Sequence, residues 1–271
     1  MPVLEKYLEK QSELFFKPLT PQLSPAILRN VSLIDQIKHK DILLSYPYEN
    51  INQFIRLLDE AAENPDVSSI KITLYRVARD SKIINALNKA AENGKDVLAL
   101  VELRARFDEE NNIGWSKQLE DAGVQVIYGL EELKVHSKLL LITLRSGNDV
   151  TYITQVGTGN YNERTSKLYT DLTLLTADKA IGADASVVFN ALCEETTVES
   201  TNRLLVAPKG LKSRIVEFID NEITYGKDGY IGIKINSLTD RDLIEKLAEA
   251  SRAGVKVELV VRGICCLIPG V

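Results

Sequence analysis

Two side chains near the middle of the chain, His136 and Lys138, have the types and spacing needed for chemistry on phosphorus. They belong to VHSKLLLI, a sequence typical of a strand, where alternation places both side chains on one face, about 7 Å apart along the chain. A neutral imidazole nitrogen can attack phosphorus and form an N–P bond that is readily transferred again. Because a nearby ammonium offsets charge on the non-bridging oxygens, the pair is a candidate nucleophile with an electrostatic partner.

A glycine-rich segment downstream adds to this chemistry. The sequence GTGN at residues 157–160 follows a predicted strand, and a glycine-rich turn in that place lets backbone N–H groups approach an anion closely. The side-chain amide of Asn160 can hold a phosphate oxygen. Taken alone, a histidine shortly before a lysine is more often structural. With this loop downstream, in a unit that is duplicated, the pattern favours a catalytic histidine.

The predicted elements that position these residues belong to a pattern that occurs twice in the sequence. LLSYP at residues 43–47 reappears as LLVAP at 204–208, and the helical pattern at 80–94 reappears at 240–254. Each helix begins at an Asp or Ser and ends at a Gly. Each lies between two apolar segments typical of strands: Ile70–Leu74 and Val97–Val101 in the first copy, Ile231–Ile235 and Val257–Val261 in the second. The first copy continues with further strand-like segments and a closing helix: Gln125–Ile127, Leu139–Thr143, Tyr152–Val156, Leu172–Thr176 and a helix over about 178–192.

This alternation predicts an α/β fold of two βαβ units, with mainly parallel mixed sheets flanked by helices and with the second unit incomplete. Residues 1–40 fit neither copy and are interpreted as a helical lead-in or the remnant of a preceding domain. We expect the first unit at 41–193 and the start of the second at 203–271, with the polar segment Glu194–Asn202 as linker. Because the counterpart of His136 in the second copy would fall beyond the last residue, we interpret the chain as a fragment.

Composition restricts the class of protein. The chain has 271 residues, of which 45% are hydrophobic and 26% charged, the profile of a soluble globular protein. No apolar run approaches the roughly 20 residues that span a bilayer, and the three cysteines have neither disulfide nor metal-ligand spacing. We therefore expect a cytoplasmic protein. A net charge of −5 disfavours nucleic acid as a partner, so an anionic substrate requires a local concentration of positive charge.

Three arginines are predicted to supply such a concentration. Arg76 follows the strand at 70–74, Arg106 follows the strand at 97–101, and Arg262 occupies the same place in the second copy. All three therefore stand near carboxyl ends of strands, where open α/β sheets bind ligands. One such arginine is easily explained as solvated charge, but three in equivalent places favour a binding role.

The His-x-Lys pair followed by a Gly-x-Asn element resembles the phospholipase D-like superfamily, in which the motif occurs once per half. The acidic residue that normally follows the lysine is missing here, which argues against a typical lipase or nuclease. The chain resembles more closely the polyphosphate kinases, the phosphotransferase branch of that superfamily, over nearly its whole length. The distinctive stretches are ITLYRVARDS at 72–81, VELRARFDEE at 101–110, KVHSKL at 134–139, GTGNYNERT at 157–165, LYTDLTLLTAD at 168–178 and LVVRGICCLIP at 259–269.

This resemblance implies reversible transfer of the γ-phosphate of ATP to inorganic polyphosphate through a phosphohistidine at His136. It implies that Tyr169 contacts the nucleotide and that Arg262 binds its phosphates. Arg76 and Arg106 resemble the pair that lines the phosphate–magnesium site. Because arginine cannot ligate a cation, we expect them to bind phosphate oxygens whose other faces hold Mg²⁺.

Two other functions remain open. A phosphodiesterase of the phospholipase D type would hydrolyse a diester without ATP, and a non-catalytic module would bind polyphosphate without turnover. In the family the second half supplies another histidine and N-terminal domains help to hold the adenine. We therefore expect this chain to be weak or inactive alone. For a full-length enzyme, membrane association or a homo-oligomer is left open.

Overall fold

The computed structural model describes residues 19–75, 77–78, 80–102, 109–130 and 133–270, without the side chains of 109–112. The chain divides after Thr196 into two compact units, and this point lies inside the polar segment Glu194–Asn202. Within the described ranges, no helix has both the length and the apolar character needed to cross a membrane.

The first unit is built on a seven-stranded mixed sheet with the order β1-β7-β6-β5-β2-β3-β4. The strands are β1 (Ile42–Tyr46), β2 (Val67–Leu74), β3 (Asp96–Val101), β4 (Gln125–Tyr128), β5 (Leu139–Ser146), β6 (Asp149–Gly157) and β7 (Asp171–Thr176). Strands β2, β3 and β4 are parallel, whereas the other pairings of this sheet are antiparallel.

The α/β class and the mixed sheet are confirmed, but the expectation of mainly parallel pairing is wrong for this sheet. For β5 and β6 the physical reason is their connection, a two-residue turn whose Gly147 adopts a left-handed φ of +60°. A turn this short can join only antiparallel strands, because a parallel pair needs a crossover of a dozen or more residues. Helical crossovers join β1 to β2, β2 to β3 and β3 to β4, four strands that run in the same direction.

Helices cover both faces of this sheet. They are α1 (Leu33–His39), α2 (Asn52–Glu63), α3 (Lys82–Glu92), α4 (Glu109–Asp121) and α5 (Lys179–Cys193). Helix α1, which the sequence places in the lead-in, buries Leu33, Ile34 and Ile37 in the main core of this unit. Helix α5 packs against β5 and β6, and it approaches so closely that a Cβ at Gly182 would lie 2.6 Å from Cδ2 of Tyr152.

Helix α3 follows the predicted pattern. The side chain of Ser81 caps its start by accepting a hydrogen bond from Ile83 N–H at 3.1 Å, and Gly94 ends it with a φ of +76°. Its apolar face, which includes Ile84 and Leu87, is buried in the core. The sequence pattern of caps and apolar spacing therefore predicts this helix correctly.

The second unit repeats the same local design. Strands β8 (Tyr230–Ile235) and β9 (Lys256–Val261) are parallel, and they are accompanied by α6 (Leu211–Tyr225) and α7 (Arg241–Arg252). Asp240 caps α7 by accepting from Leu243 N–H at 3.1 Å, and Gly254 follows it with a φ of +98°. The predicted strands and helix of the second copy are confirmed.

Candidate active site

His136 lies in an extended segment, residues 134–138, that leads directly into β5. Because β5 begins at Leu139, the prediction that His136 and Lys138 belong to a strand is wrong by a few residues. The reason is that side chains, rather than a neighbouring strand, bind much of this backbone. The carboxylate of Glu102 accepts a hydrogen bond from Val135 N–H at 2.9 Å.

The hydroxyl of Thr73 holds the other end of the segment. Its Oγ1 donates to the carbonyl oxygen of Ser137 at 2.9 Å and accepts from Leu139 N–H at 3.1 Å. Thr73 lies on β2, and Glu102 directly follows β3 with only 2% of its surface exposed. Two neighbouring strands therefore fix the backbone on both sides of His136.

The ring of Tyr75 is the common contact of the candidate catalytic side chains. The imidazole of His136 meets this ring edge-to-face, with centroids 4.6 Å apart and planes at 80°. The ammonium nitrogen of Lys138 lies 5.3 Å from the ring centroid and that of Lys134 lies 5.1 Å from it. The structure thus brings His136 and Lys138 together, as the spacing predicted, and adds a second lysine.

Lys138 carries its charge in a largely dehydrated place. Its side chain donates to the carbonyl oxygen of His136, and only 5% of the residue is exposed. Burial lowers the pKa of the Lys138 ammonium to about 8, and the carboxylate of Asp171 opposes this shift. A buried, incompletely neutralised ammonium beside an exposed imidazole is well suited to pair with an incoming phosphate.

The glycine-rich segment joins this corner through its backbone. Gly157 N–H donates to the carbonyl oxygen of Lys138, and Thr158 N–H donates to that of Leu172, both at 3.0 Å. These two N–H groups are therefore engaged by the backbone of Lys138 and Leu172, and they do not cradle an anion as the sequence suggested. At Gly159, a Cβ would lie 2.6 Å from Cγ of Asp171, so this glycine is needed for close approach to the carboxylate.

Asn160 and Glu163 in the same loop have buried oxygen atoms without hydrogen-bond partners, Oδ1 and Oε2 respectively. The other carboxylate oxygen of Glu163 accepts from Ser81 Oγ at 2.9 Å and from Lys82 N–H at 2.8 Å. Glu163 therefore ties the loop to the start of α3. A buried polar atom without a partner costs about 1–3 kcal/mol, a cost that is expected where a ligand or water completes the site.

The remaining predicted site residues are placed differently. Tyr169 is 46% exposed and lies shortly before β7. Arg262 follows β9 in the second unit, where its Nε donates to Asn236 Oδ1 at 2.7 Å. Arg76 and Arg106 lie outside the described residues.

Sequence reasoning missed four participants: Tyr75, Glu102, Lys134 and Asp171. All four stand in stretches that carry the family resemblance, but nothing local marks their role. The carboxylate of Asp171 acts on Lys138 although β6 separates β5 from β7. No acidic residue occupies the positions that directly follow Lys138 in the sequence. Only the sheet order shows that an acidic side chain nevertheless acts on this lysine.

The described side chains do not fit a metal ion held by the protein alone. In the part of the chain that the structure describes, no group of three or more His, Cys, Asp or Glu side chains is arranged to hold one. The groups nearest the imidazole and the Tyr75 ring include two ammoniums, which repel a cation. Any Mg²⁺ here would have to arrive with its own phosphate ligands.

Comparison with known proteins gives a consistent result along the chain. The family model for polyphosphate kinase C-terminal domain 1 matches residues 32–198, and the model for polyphosphate kinase C-terminal domain 2 matches residues 204–271. The polyphosphate kinase of Staphylococcus epidermidis is 47% identical over 266 residues, which cover 97% of this chain and 36% of that protein. The polyphosphate kinase of Halalkalibacterium halodurans is 50% identical over 256 residues, covering 93% of this chain and 36% of that protein.

A solved structure agrees with these matches. The polyphosphate kinase of Porphyromonas gingivalis superposes with a TM-score of 0.84 at 42% identity, covering 96% of this chain and 44% of that one. The chain thus spans little more than a third of the length of the curated relatives above.

Proposed function

The chain belongs to the polyphosphate kinase family, and from that premise we propose that it carries the nucleophile for reversible transfer of the ATP γ-phosphate to inorganic polyphosphate. His136 is the residue that becomes phosphorylated. The observation that carries this proposal is the arrangement around Tyr75, where an exposed imidazole and a buried ammonium contact one ring. ATP, ADP and polyphosphate are the proposed partners, in the cytoplasm, and nucleic acid is not among them.

The transfer has two steps. An unprotonated ring nitrogen of His136 attacks the γ-phosphorus, the bond from that phosphorus to the β–γ bridging oxygen breaks, and ADP leaves with the electron pair. A terminal oxygen of polyphosphate then attacks the same phosphorus, and the N–P bond breaks to return the free imidazole. Such transfers depend mainly on positioning and on electrostatic stabilisation.

The described residues can supply both requirements. Glu102 and Thr73 hold the backbone that carries His136, so the imidazole is aimed before substrate arrives. The Lys138 ammonium neutralises charge on the non-bridging oxygens, and a pKa near 8 keeps it mostly protonated at neutral pH. Asn160, in the adjoining loop, holds a further phosphate oxygen.

The outer contacts follow from the family resemblance. Tyr169 is proposed to contact the nucleotide, and Arg262 to bind its phosphates. Arg76 and Arg106 are proposed to bind phosphate oxygens that also hold Mg²⁺. When bound, the ion would neutralise charge on those phosphates. The chain's own described groups supply no ligand set for it.

To test the nucleophile, the protein is incubated with γ-labelled ATP and Mg²⁺ and is then examined for acid-labile, base-stable label. The chain contains two histidines, so His39→Ala, at the exposed end of α1, is the matched control. We expect label on the wild type and on His39→Ala and none on His136→Ala.

Equal label on His136→Ala would exclude this residue as the nucleophile. If this chain takes no label, a chain extended to the length of its relatives is assayed with the same substitutions. No label on the extended wild type would overturn the kinase proposal and leave a diesterase or a polyphosphate-binding module.

A further inference from the structure

Lys134 is an exposed lysine that shares the Tyr75 ring with the candidate catalytic residues. Its ammonium nitrogen lies 5.1 Å from the ring centroid, a distance at which the ring face attracts a cation. The imidazole of His136 lies 4.6 Å from the same centroid. The ammonium and the imidazole therefore lie no further apart than the sum of these two distances. A short run of linked phosphates can bridge that separation.

The backbone that carries Lys134 is held in place. The next residue, Val135, is buried and donates its N–H to the carboxylate of Glu102 at 2.9 Å. The contact with Tyr75 restrains the far end of the side chain. Lys134 is therefore restrained at both ends, which reduces the entropy lost when its ammonium binds an anion.

Exposure separates the roles of the two lysines on this ring. Lys138 is buried and bonds to the carbonyl oxygen of His136, so its place is beside the phosphoryl group that reacts. Lys134 is on the solvent side, where the unreacted remainder of a phosphate chain must extend. A second positive charge is needed there because the net charge of the whole chain is −5.

We propose that Lys134, held by Tyr75, is a second phosphate-binding residue that contacts the phosphoanhydride chain next to the transferred phosphoryl group. This inference rests on the function proposed above and extends it beyond the residues assigned there. Two ligands present this chemistry, the triphosphate of ATP and inorganic polyphosphate, and the test separates them.

Binding of each ligand to Lys134→Gln is compared with binding to Lys40→Gln, a substitution of an exposed lysine just after α1. Affinities for ATP and for inorganic polyphosphate are measured by calorimetry at several salt concentrations. Loss of one exposed phosphate contact is expected to weaken binding about two- to fivefold. For polyphosphate, the slope of log affinity against log salt should also become shallower by about 1.

Two substitutions at the ring test how Lys134 is held. Tyr75→Phe keeps the aromatic face and should retain the part of the binding that depends on Lys134. Tyr75→Leu removes it and should reproduce the loss seen with Lys134→Gln. A Tyr75→Leu variant that binds like Tyr75→Phe would overturn the part of the inference that assigns a holding role to the ring.

Each outcome of the lysine comparison has one meaning. A loss with polyphosphate alone assigns Lys134 to the polymer, a loss with ATP alone to the nucleotide, and a loss with both to a shared subsite. Lys134→Gln that binds both ligands as tightly as Lys40→Gln overturns the inference. If His136 accepts label in that variant as in the wild type, the function proposed above survives that result. If the wild type binds neither ligand, a chain extended to the length of its relatives is measured with the same substitutions, and an extended wild type that binds neither ligand overturns both.

Discussion

At the scale of the residue, the buried charge of Lys138 lowers the stability of the folded protein, and the proposed chemistry depends on that same charge. Burial lowers the pKa of Lys138 from 10.5 to about 8, so the folded protein binds this proton less tightly than the unfolded chain does. The charged form therefore opposes folding. Its cost appears as the pH falls from 10.5 towards 8 and is fully present below 8, where it amounts to about 3 kcal/mol.

Lys138→Met is expected to be more stable than the wild type at pH 7, by about 1–3 kcal/mol, because it removes a buried charge and keeps the side chain's length. The gain should shrink towards pH 10.5. Urea unfolding at pH 7 and pH 10 measures it, with Lys117→Met on the exposed face of α4 as control. A destabilised Lys138→Met would show that the contacts with His136 and Tyr75 outweigh desolvation. We expect the stabilised variant to form no phosphohistidine.

The same titration predicts how polyphosphate binding depends on pH. Because an anion favours the charged lysine, binding should take up a proton near pH 8 and should weaken above it, by at most about tenfold per pH unit. Calorimetry in two buffers of different ionisation enthalpy measures the proton uptake. Lys138→Met should show none near pH 8, and uptake that persists in this variant would assign it to another group.

At the scale of the element, the position of the site depends on close packing between helix and sheet. Helix α5 lies on β6 across Gly182, where even one methyl group would overlap Tyr152. The side chain of Glu163 similarly links the loop that carries Asn160 to the start of α3. The Glu163 contacts restrain the loop between the end of β6 and the start of β7, which lies beside Lys138.

Gly182→Ala is expected to destabilise the first unit by about 1–3 kcal/mol, because the added methyl forces α5 away from the sheet. Gly114→Ala is the matched control, since Gly114 also lies within a helix but a Cβ there meets nothing within 4 Å. That change should instead stabilise by up to about 1 kcal/mol, through higher helix propensity. Urea unfolding distinguishes the two, and equal effects would contradict the overlap at Tyr152.

Local pattern predicts the elements of this protein better than their pairing. Ser81 and Gly94 mark both ends of α3, and the β-branched runs identify β3 and β9, because caps and apolar spacing act over a few residues. Strand order depends on contacts between distant segments. The antiparallel pairing of β5 with β6 follows from a two-residue turn at Gly147 that the sequence analysis does not identify.

The residues of the site likewise differ in whether local sequence predicts that they act together. His136 and Lys138 are close in sequence, so their spacing was sufficient to predict that they act together. Tyr75 and Glu102 directly follow β2 and β3, Asp171 begins β7, and all three meet the 134–138 segment only after the sheet has formed. Their types alone are ordinary for strand ends, and no local signal distinguishes them.

At the scale of the whole molecule, the two units have separate hydrophobic cores, of which the second is the smaller. The residues between them include Glu194 and Glu195, which are exposed and follow the end of α5. A segment of this kind is a preferred site of proteolysis.

A glutamate-specific protease is therefore expected to cut first at Glu194 or Glu195 and to release two fragments. Mass spectrometry of the early products identifies the bond. Glu60 is a matched internal control, because its carboxylate is engaged by Leu33 and Ile34 N–H at the start of α1. Cleavage at Glu60 before the connecting segment would contradict this division of the chain.

The turn at Gly147 has a practical consequence. It lies at the far end of the β5–β6 hairpin, whose opposite end holds Lys138 and Gly157. Eight strand residues at about 3.4 Å each place that turn well over 20 Å from the imidazole. A fluorophore or an affinity tag inserted there would report on this domain from a distance at which it leaves the phosphate chemistry untouched.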